Sequence, residues 1–426
     1  MTPSKLDPSP RRYASVVTLV KRGDRGPASA PKEVTYSDIE SWLLGDALKE
    51  GDLLDLFESF VWRVVAAGSS LERASLHVGT LHPQLIGFAW NWNRADGLCD
   101  EVKVEAAALQ SDAYRRNPLF RVVEHGESFH GDIRDSAMRE KYPLLNELFA
   151  GGITEYIAEP LVTGGAYHNA VTLSTKNQLG FSKQERKSLY ALLKLLALNV
   201  ERHIVLRIAR NVLETYLGSA AGTAVLAGSI KRGSGRSIKS IIWSSDLRGF
   251  TDLSDRLAGP DVTALLDAYF QCLVSAIADN GGETLKFIGD GLLAVFSYSD
   301  NDTAKKAAAC ALLAAQQGLA LVERLNASPP DRLSSIEGWR PLKTGIALHS
   351  GEVFFGNIGS TERLDFTVIG PAVNEASRVE SLTKTLGRSI LITDHVASLL
   401  NQPLESLGQH QLRGRAEPIS LFSLRT

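Results

Sequence analysis

The stretch GGETLKFIGDGLLAVF, residues 281–296, predicts a β-hairpin and decides how the second half of the chain is interpreted. Two short apolar runs, 284–288 and 292–296, flank Gly289-Asp290-Gly291, and a tight turn containing Asp-Gly is a favoured connection between such strands. Asp290 is therefore expected at the tip of a rigid turn. Its carboxylate suits Mg²⁺ or Mn²⁺, which take the rest of their coordination from water and substrate phosphates.

A second carboxylate stands at the end of another predicted strand. Residues 238–243 form a buried apolar run that leads into Ser244-Ser245-Asp246 and then Leu247-Arg248-Gly249-Phe250-Thr251. We expect Asp246 and Asp290 to face each other across two strand ends. Two such carboxylates predict a site for a metal-bound nucleotide.

Composition excludes several classes of protein. The 426 residues and a hydrophobic content of 44% predict two domains with separate cores. Lys and Arg number 46 against 48 Asp and Glu, so there is no electrostatic case for nucleic-acid binding. The longest apolar stretch, 188–200, is too short to span a bilayer and contains Lys194, which predicts no transmembrane helix.

The N-terminus and the cysteines predict a cytoplasmic protein. Residues 1–10 are polar and proline-rich, which argues against a signal peptide. Cys99, Cys272 and Cys310 are too widely spaced for a disulfide framework or a zinc cluster. A reducing cytoplasm is the expected compartment.

The first half predicts an arm and an α/β domain. Residues 1–35 carry five prolines and are expected to remain a mobile N-terminal arm, with docking of the patch 13–21 as the alternative. Residues 36–202 predict a helix, a sheet and a second helix. Trp90 and Trp92 alternate on one strand face and are expected in the core. His77 and His82 are interpreted as structural rather than haem-binding.

A long helix is predicted to leave the first domain. From Gln184 the chain continues without Gly or Pro, and an apolar stripe predicts pairing with a second copy, although packing on its own domain is the alternative. This stripe comprises Leu189, Leu193, Leu196, Val200, Ile204, Ile208 and Val212. Residues 203–236 are expected to form a helical linker with flexible glycine joints between 218 and 235.

Residues 237–426 predict an α+β domain. The strand at 238–243, the hairpin and three further strands at 343–348, 352–356 and 364–368 alternate with helices near 261–279, 302–326 and 371–385. A strand at 389–392, a helix and a hairpin complete it. We expect an antiparallel, ferredoxin-like sheet with helices on one side.

Four motifs of this half, taken in order, resemble the catalytic domain of class III adenylate and guanylate cyclases. They are SDLRGFT (245–251), KFIGDG (286–291), HSGEV (349–353) and TVIGPAVNEASR (367–378). The first half is similar to GAF-type sensor domains at EPL (159–161), TLS (172–174) and GFS (180–182). The resemblance implies a regulated enzyme in which a long helix joins the two domains.

The resemblance also assigns roles to residues of this chain. Asp246, Asp290 and the Leu247 carbonyl would hold two Mg²⁺ or Mn²⁺ ions per active site. Amides of Gly249, Phe250 and Thr251 would receive phosphate oxygens. Asn374 would orient the ribose, and Arg378, four residues later on one helix face, would stabilise charge at the α-phosphate.

Base choice is implied to rest on Lys286 and Thr367. Lys meets adenine in adenylate cyclases of this family, where the partner position is commonly Asp, and a bacterial subset uses Thr instead. Asp365 is out of register for this role. The triphosphate-binding Lys of the family appears as Arg413 or Arg415, and Arg413 is our choice.

The sequence therefore predicts a homodimeric, cytoplasmic adenylate cyclase that converts ATP to cyclic AMP. Metal ligands would come from one subunit and the base-reading and catalytic residues from the other. The N-terminal domain would receive an unidentified small-molecule or protein signal. The alternatives are a guanylate cyclase, which Lys286 disfavours, and a catalytically silent nucleotide-binding regulator.

Overall fold

The computed structural model describes residues 6–80, 85–161, 169–336 and 339–425. It divides into two compact units, Ser4–Val212 and Leu213–Thr426. Each unit has its own sheet, as expected for two domains. The boundary falls inside a continuous helix, ten residues beyond the predicted end of the first domain.

In the part of the N-terminal unit that is described, an antiparallel sheet has the order β1-β4-β3-β2-β7-β6-β5. Its strands are β1 (Val17–Gly23), β2 (Leu71–Gly79), β3 (Leu85–Asn93), β4 (Cys99–Glu105), β5 (Phe129–Asp132), β6 (Glu155–Leu161) and β7 (Asn169–Thr175). The helices are α1 (Tyr36–Leu44), α2 (Leu53–Ala66), α3 (Asp112–Arg115), α4 (Pro118–His125), α5 (Ser136–Lys141), α6 (Pro143–Ala150) and α7 (Lys183–Leu217).

The main core of this unit lies where α2 and α7 pack on the sheet. Trp90 and Trp92 are fully buried in it, so the prediction that they are core residues is confirmed. His77 lies with Nε2 2.9 Å from Ser75 Oγ, and burial lowers its pKa to about 4. This histidine is neutral at pH 7. His82 lies outside the described residues.

The prediction of a mobile arm over residues 1–35 is wrong for the part that forms β1. This strand pairs with β4 from Val17↔Val104 to Gly23↔Cys99. Two arginines of the segment, Arg11 and Arg22, form ion pairs with the buried Asp100 at 3.3 and 2.6 Å. Their partner lies far along the chain, so local composition does not reveal these bonds.

The predicted dimer stripe of α7 is mostly buried within its own unit, as the alternative stated. Leu189, Leu193, Leu196, Val200 and Ile204 all belong to the core that α7 shares with the sheet. A second apolar row, which shares only Val212 with the predicted stripe, stays exposed, with Leu198 at 60%, Val205 at 58% and Val212 at 36%. These three residues, here called the exposed row, are spaced by seven.

The C-terminal unit contains a largely antiparallel sheet of order β14-β15-β13-β11-β8-β10-β9, with β12 paired to β11. Its strands are β8 (Gly235–Leu247), β9 (Glu283–Ile288), β10 (Gly291–Tyr298), β11 (Thr344–Gly359), β12 (Leu364–Ile369), β13 (Ile390–Thr393), β14 (Leu404–His410) and β15 (Ile419–Leu424). The helices are α8 (Ser219–Leu226), α9 (Phe250–Ser254), α10 (Gly259–Asp279), α11 (Asn301–Ala327), α12 (Asp331–Ser334), α13 (Pro371–Thr385) and α14 (Asp394–Leu399).

Helices cover both faces of this sheet, so the expectation of helices on one side is corrected. Ile241 and Trp243 of β8 share a core with α10 and α11, whereas Ile242 packs with α8 and α13. Alternate residues of a strand point to opposite faces, and both faces of β8 are apolar. Because α8 joins this core through Ala221, the predicted linker 203–236 is partly built into the C-terminal unit.

In the described residues, α10 is one helix whose length and composition would allow it to cross a membrane. Within the C-terminal unit, α10 buries one side of the helix. Its buried residues are Leu265, Tyr269, Leu273, Ala276 and Ile277. These side chains face the sheet, as in the core helix of a globular domain.

Candidate active site

The hairpin of β9 and β10 positions Asp290. Ile288 pairs with Gly291, so the two turn residues are Gly289 and Asp290, one position earlier than an Asp-Gly turn would give. Gly289 has a φ of 63°, and a positive φ at the first turn position is the requirement of a type II′ hairpin that favours glycine. A Cβ at Gly291 would lie 2.9 Å from the Ser245 carbonyl oxygen, so glycine lets β10 approach β8.

Asp246 and Asp290 come together, because Leu292 at the start of β10 pairs with Ser245 near the end of β8. Their carboxyl groups act on each other: burial, followed by the charge of Asp290, raises the pKa of Asp246 to about 6. Two carboxylates this close repel each other once both are ionised. A divalent cation would remove that repulsion, so the donor set fits Mg²⁺ or Mn²⁺.

A third carboxylate, Glu380 of α13, lies beside the pair. Gly345 pairs with Asp246 across β11 and β8, and a Cβ at Gly345 would lie 2.9 Å from Glu380 Oε1. Burial and then the charge of Asp246 raise the pKa of Glu380 to about 7. Across the described ranges, no set of three or more His, Cys, Asp or Glu residues is arranged to hold a metal ion. Glu380 thus acts on the pair through charge.

The segment after Asp246 enters a short helix. Gly249 adopts the left-handed region with a φ of 75° and precedes α9, which begins at Phe250. The amides of Gly249, Phe250 and Thr251 are therefore at a helix start, as expected from the sequence. Arg248 is anchored away from this turn, since its guanidinium donates to the carbonyls of Thr383 and Arg388.

Lys286 lies on β9 and forms an ion pair with Asp365 of β12. Thr367, two residues further along β12, is 9% exposed and pairs with Gly356 of β11. The sequence interpretation set Asp365 aside because of its register. The structure brings its carboxylate to the very lysine that was assigned to the base.

Asn374 and Arg378 lie on the outer side of α13. The helix buries Ala372, Ala376, Val379 and Thr383. At 3.6 residues per turn, Asn374 and Arg378 point away from that buried side. Neither side chain makes a hydrogen bond or ion pair within the described residues. Gly414, with a φ of 75°, lies beneath the guanidinium, since a Cβ there would be 3.5 Å from Arg378 Nη1.

The two candidate triphosphate ligands differ in their surroundings. Arg415 is half-buried and lies 3.6 Å from Glu375 of α13 in an ion pair. Arg413 is exposed. A guanidinium without a carboxylate partner is the better phosphate ligand, which favours Arg413.

Within one chain the predicted residues thus form two separate groups. Asp246, Leu247 and Asp290 gather at the end of β8, whereas Asn374 and Arg378 face outward from α13. Sequence reasoning set Asp365 aside and missed Glu380. The only sequence signal for Asp365 is its position two residues before Thr367. The only signal for Glu380 is its place in the predicted helix 371–385.

The N-terminal unit contains a cavity of about 440 Å³ at α4, β5 and α5. Arg121, His130 and Lys141 contribute to its lining. The ring of His130 stacks on Tyr190 of α7 with centroids 6.2 Å apart. His130 therefore lies between a ligand in this cavity and Tyr190 of α7.

Comparisons with known proteins concern the second half of the chain. A family model described as the adenylate and guanylate cyclase catalytic domain matches residues 238–425. An adenylate cyclase of Anabaena cylindrica is 34% identical over 186 residues, which are 42% of this chain and 35% of that protein. The chain spans about a third or less of the length of the curated relatives that it matches.

Two crystal structures are also similar. The adenylyl cyclase CyaB from P. aeruginosa is 26% identical, with 45% of this chain and 96% of that chain covered and a TM-score of 0.38. The guanylyl cyclase Cya2 is 30% identical, with 44% and 92% covered and a TM-score of 0.37.

Proposed function

Because residues 238–425 form an adenylate and guanylate cyclase catalytic domain, we propose that the protein converts ATP to 3′,5′-cyclic AMP and pyrophosphate. The observation that carries this proposal is the pairing of Asp246 with Asp290 at the end of β8. The 3′-hydroxyl of the ribose attacks the α-phosphorus, pyrophosphate leaves, and the hydroxyl proton passes to solvent. No covalent enzyme intermediate is needed, so positioning and charge stabilisation supply the rate.

Asp246, Asp290 and the Leu247 carbonyl would hold two Mg²⁺ or Mn²⁺ ions, which lower the pKa of the 3′-hydroxyl and neutralise the triphosphate. The amides of Gly249, Phe250 and Thr251 would bind phosphate oxygens, together with the exposed Arg413.

A second copy of the chain would complete the site. Asn374 is exposed and Arg378 half-buried, and both lie on the side of α13 that points away from its buried residues. In a homodimer, these two side chains would meet the partner's nucleotide, with Asn374 orienting the ribose and Arg378 stabilising the α-phosphate. A monomer would then have no complete site.

Lys286 and Thr367 support ATP as the substrate. The Lys286 ammonium can donate to adenine N1, and the Thr367 hydroxyl can accept from the adenine amino group. GTP is the second candidate, because the Asp365 carboxylate beside Lys286 is an acceptor of the kind that guanine N1–H and N2–H₂ require. A silent nucleotide-binding regulator is disfavoured, because every expected catalytic position is filled.

The N-terminal unit would act as a GAF-like sensor, and the protein as a cytoplasmic signalling enzyme. Its support is the cavity that contacts α7 through His130, together with the continuity of α7 into the second unit. A small molecule or a protein bound there would alter the helix that leads to α8 and the catalytic sheet.

The test is incubation of the purified full-length protein with ATP or GTP and Mg²⁺ or Mn²⁺, followed by chromatography of the cyclic product. We expect cyclic AMP in excess over cyclic GMP. Asp365→Asn should lower any residual GTP use and leave ATP use measurable. Absence of both products under all four conditions would exclude the cyclase activity.

A further inference from the structure

A buried chain of hydrogen bonds runs from α10 through β11 to the backbone of Asp246. The Tyr269 hydroxyl lies 2.6 Å from the Thr344 hydroxyl. Thr344 Oγ1 donates to the Asp246 carbonyl oxygen at 2.9 Å. Tyr269 is 0% exposed and Thr344 2%, so water does not compete for these bonds.

In this series of hydrogen bonds, each hydroxyl donates toward Asp246. Thr344 has a single hydroxyl proton, which it donates to Asp246, so its oxygen accepts from Tyr269. Burial raises the pKa of Tyr269, and the charges of Asp246 and Asp290 act in the same sense. Tyr269 therefore keeps its proton and remains the donor at neutral pH.

These bonds hold the peptide unit between Asp246 and Leu247. Thr344 fixes the Asp246 carbonyl by its hydrogen bond. Because a peptide unit is planar, fixing the carbonyl also fixes the direction of the N–H. The positions of the carboxylate and of the following Leu247 carbonyl both depend on this plane.

We propose that Tyr269 and Thr344 are positioning residues for the divalent cation. Through the Asp246–Leu247 peptide they place the Asp246 carboxylate against Asp290 and orient the Leu247 carbonyl. This inference rests on the metal site of the proposed function. Hydrogen bonds to the ligands of a metal typically change metal affinity by about 10–100-fold when they are lost.

The test measures binding of Mn²⁺ alone to the full-length protein, from the electron paramagnetic resonance signal of free Mn²⁺. Tyr269→Phe and Thr344→Val remove one hydroxyl each with little change in shape, and each should raise the dissociation constant about tenfold. Thr344→Ser keeps the hydroxyl and should bind within about twofold of wild type. The double variant should bind Mn²⁺ no more weakly than Thr344→Val, because Tyr269 reaches the Asp246 carbonyl only through the Thr344 hydroxyl.

Tyr298→Phe is the matched control. It also removes a tyrosine hydroxyl that contacts another hydroxyl, that of Ser350 at 3.0 Å, but Tyr298 pairs with Lys239, far along β8 from Asp246. Mn²⁺ binding by this variant should equal that of wild type. A role in stability alone would lower melting temperatures without changing the dissociation constant.

The proposal is overturned if Thr344→Val binds Mn²⁺ as tightly as wild type, or if Thr344→Ser is as weak as Thr344→Val. It is also overturned if wild type and Asp290→Ala bind Mn²⁺ equally, since the carboxylates then hold no cation. If the expected shifts appear but the wild-type protein makes no cyclic nucleotide, the positioning role stands and the proposed activity fails.

Discussion

Burial of Asp246 and then the charge of Asp290 disfavour the ionised Asp246 carboxylate when no cation is bound. The pKa of Asp246 is raised to about 6 from 3.8, so between these values the folded protein binds a proton that the unfolded chain has lost. The free energy of unfolding therefore falls as pH rises from about 4 to about 6. Above that range the full repulsion is present.

Removing the charge of Asp290 should relieve this effect. In EDTA, Asp290→Asn should melt like wild type at pH 4 and be more stable at pH 7, by up to about 1 kcal/mol for a partly solvated pair. Thermal melts at both pH values measure the difference. The same difference at pH 4 and pH 7 would contradict the assigned cause. Saturating Mn²⁺ should reverse the order at pH 7, because wild type alone keeps both ligands.

Turnover should depend on Asp290 far more than folding does. Asp290→Ala should reduce cyclic AMP formation below about 1% of wild type, since one of two metal carboxylates is lost. Its melting curve in EDTA should not fall, because the side chain lies in a turn rather than in a core. Product chromatography and a thermal melt check the two halves of the prediction. Substantial residual activity would contradict the metal assignment.

Lys286 should govern the choice of base. Lys286→Glu removes the donor for adenine and sets a second carboxylate against Asp365. A buried donor or acceptor left without a partner costs about 1–3 kcal/mol, so the ratio of kcat/KM for ATP to that for GTP should fall at least about fivefold. Lys239→Glu, on β8, is the control and should leave the ratio unchanged. An unchanged ratio in Lys286→Glu would show that the base lies elsewhere.

At the level of elements, α7 presents two apolar sides with different partners. One is buried in the N-terminal core. The other is the exposed row, Leu198, Val205 and Val212, whose spacing of seven is that of a coiled-coil contact with a second copy. We therefore expect a dimer contact on the exposed row, which shares only Val212 with the predicted stripe.

Charges in the exposed row should weaken the dimer. Leu198→Glu combined with Val205→Glu should raise the dimer dissociation constant at least about tenfold, because two apolar contacts per chain are lost. Sedimentation equilibrium measures this constant. Leu179→Glu, at an 89% exposed position outside α7, should leave it unchanged. Dimers as tight as wild type would exclude this face of α7.

The elements that the sequence predicted are those with strong periodicity. The helix at 371–385 agrees with α13 at both ends, and the hairpin at 284–296 agrees with β9 and β10 to within two residues. The segments 343–348 and 352–356 were predicted as two strands and form one, β11, because Ser350 and Gly351 continue the pairing with β8. The polar and small side chains of Ser350 and Gly351 are typical of a turn, so the sequence predicted a break there.

The remaining features depend on contacts between distant parts of the chain. β1 is held by arginines that meet Asp100, and α8 is held by the catalytic core. Tyr269 is a buried residue of α10, and only the fold shows that its hydroxyl reaches Thr344. In the same way, the pairing of Asp365 with Lys286 requires the position of β12.

At the scale of the whole molecule, the proposed site would take its two groups of residues from two chains. Asp290→Ala and Arg378→Ala should each be inactive as homodimers, because each damages one half of every site. In a heterodimer of the two variants, both changes fall in one site and the other is intact. The isolated heterodimer should therefore show about half of the wild-type activity.

Co-expression with two affinity tags and purification of the doubly tagged species give this heterodimer free of the parents. The matched control is a doubly tagged dimer that carries Asp290→Ala in both chains, which should stay inactive. A heterodimer as inactive as its parents would show that one chain supplies the complete site.

The pairing of β8 with β11 also constrains how the protein is made. Leu247 pairs with Thr344 and Gly235 with Gly356, so about a hundred residues must leave the ribosome before the central strand has its second neighbour. Contacts of such long sequence separation slow folding and leave apolar strand edges exposed for longer. β10 reaches β8 first and brings Asp290 to Asp246, while Thr344 is among the residues still to come. During synthesis, therefore, Asp246 and Asp290 can pair before Thr344 is present to donate its hydrogen bond to the Asp246 carbonyl.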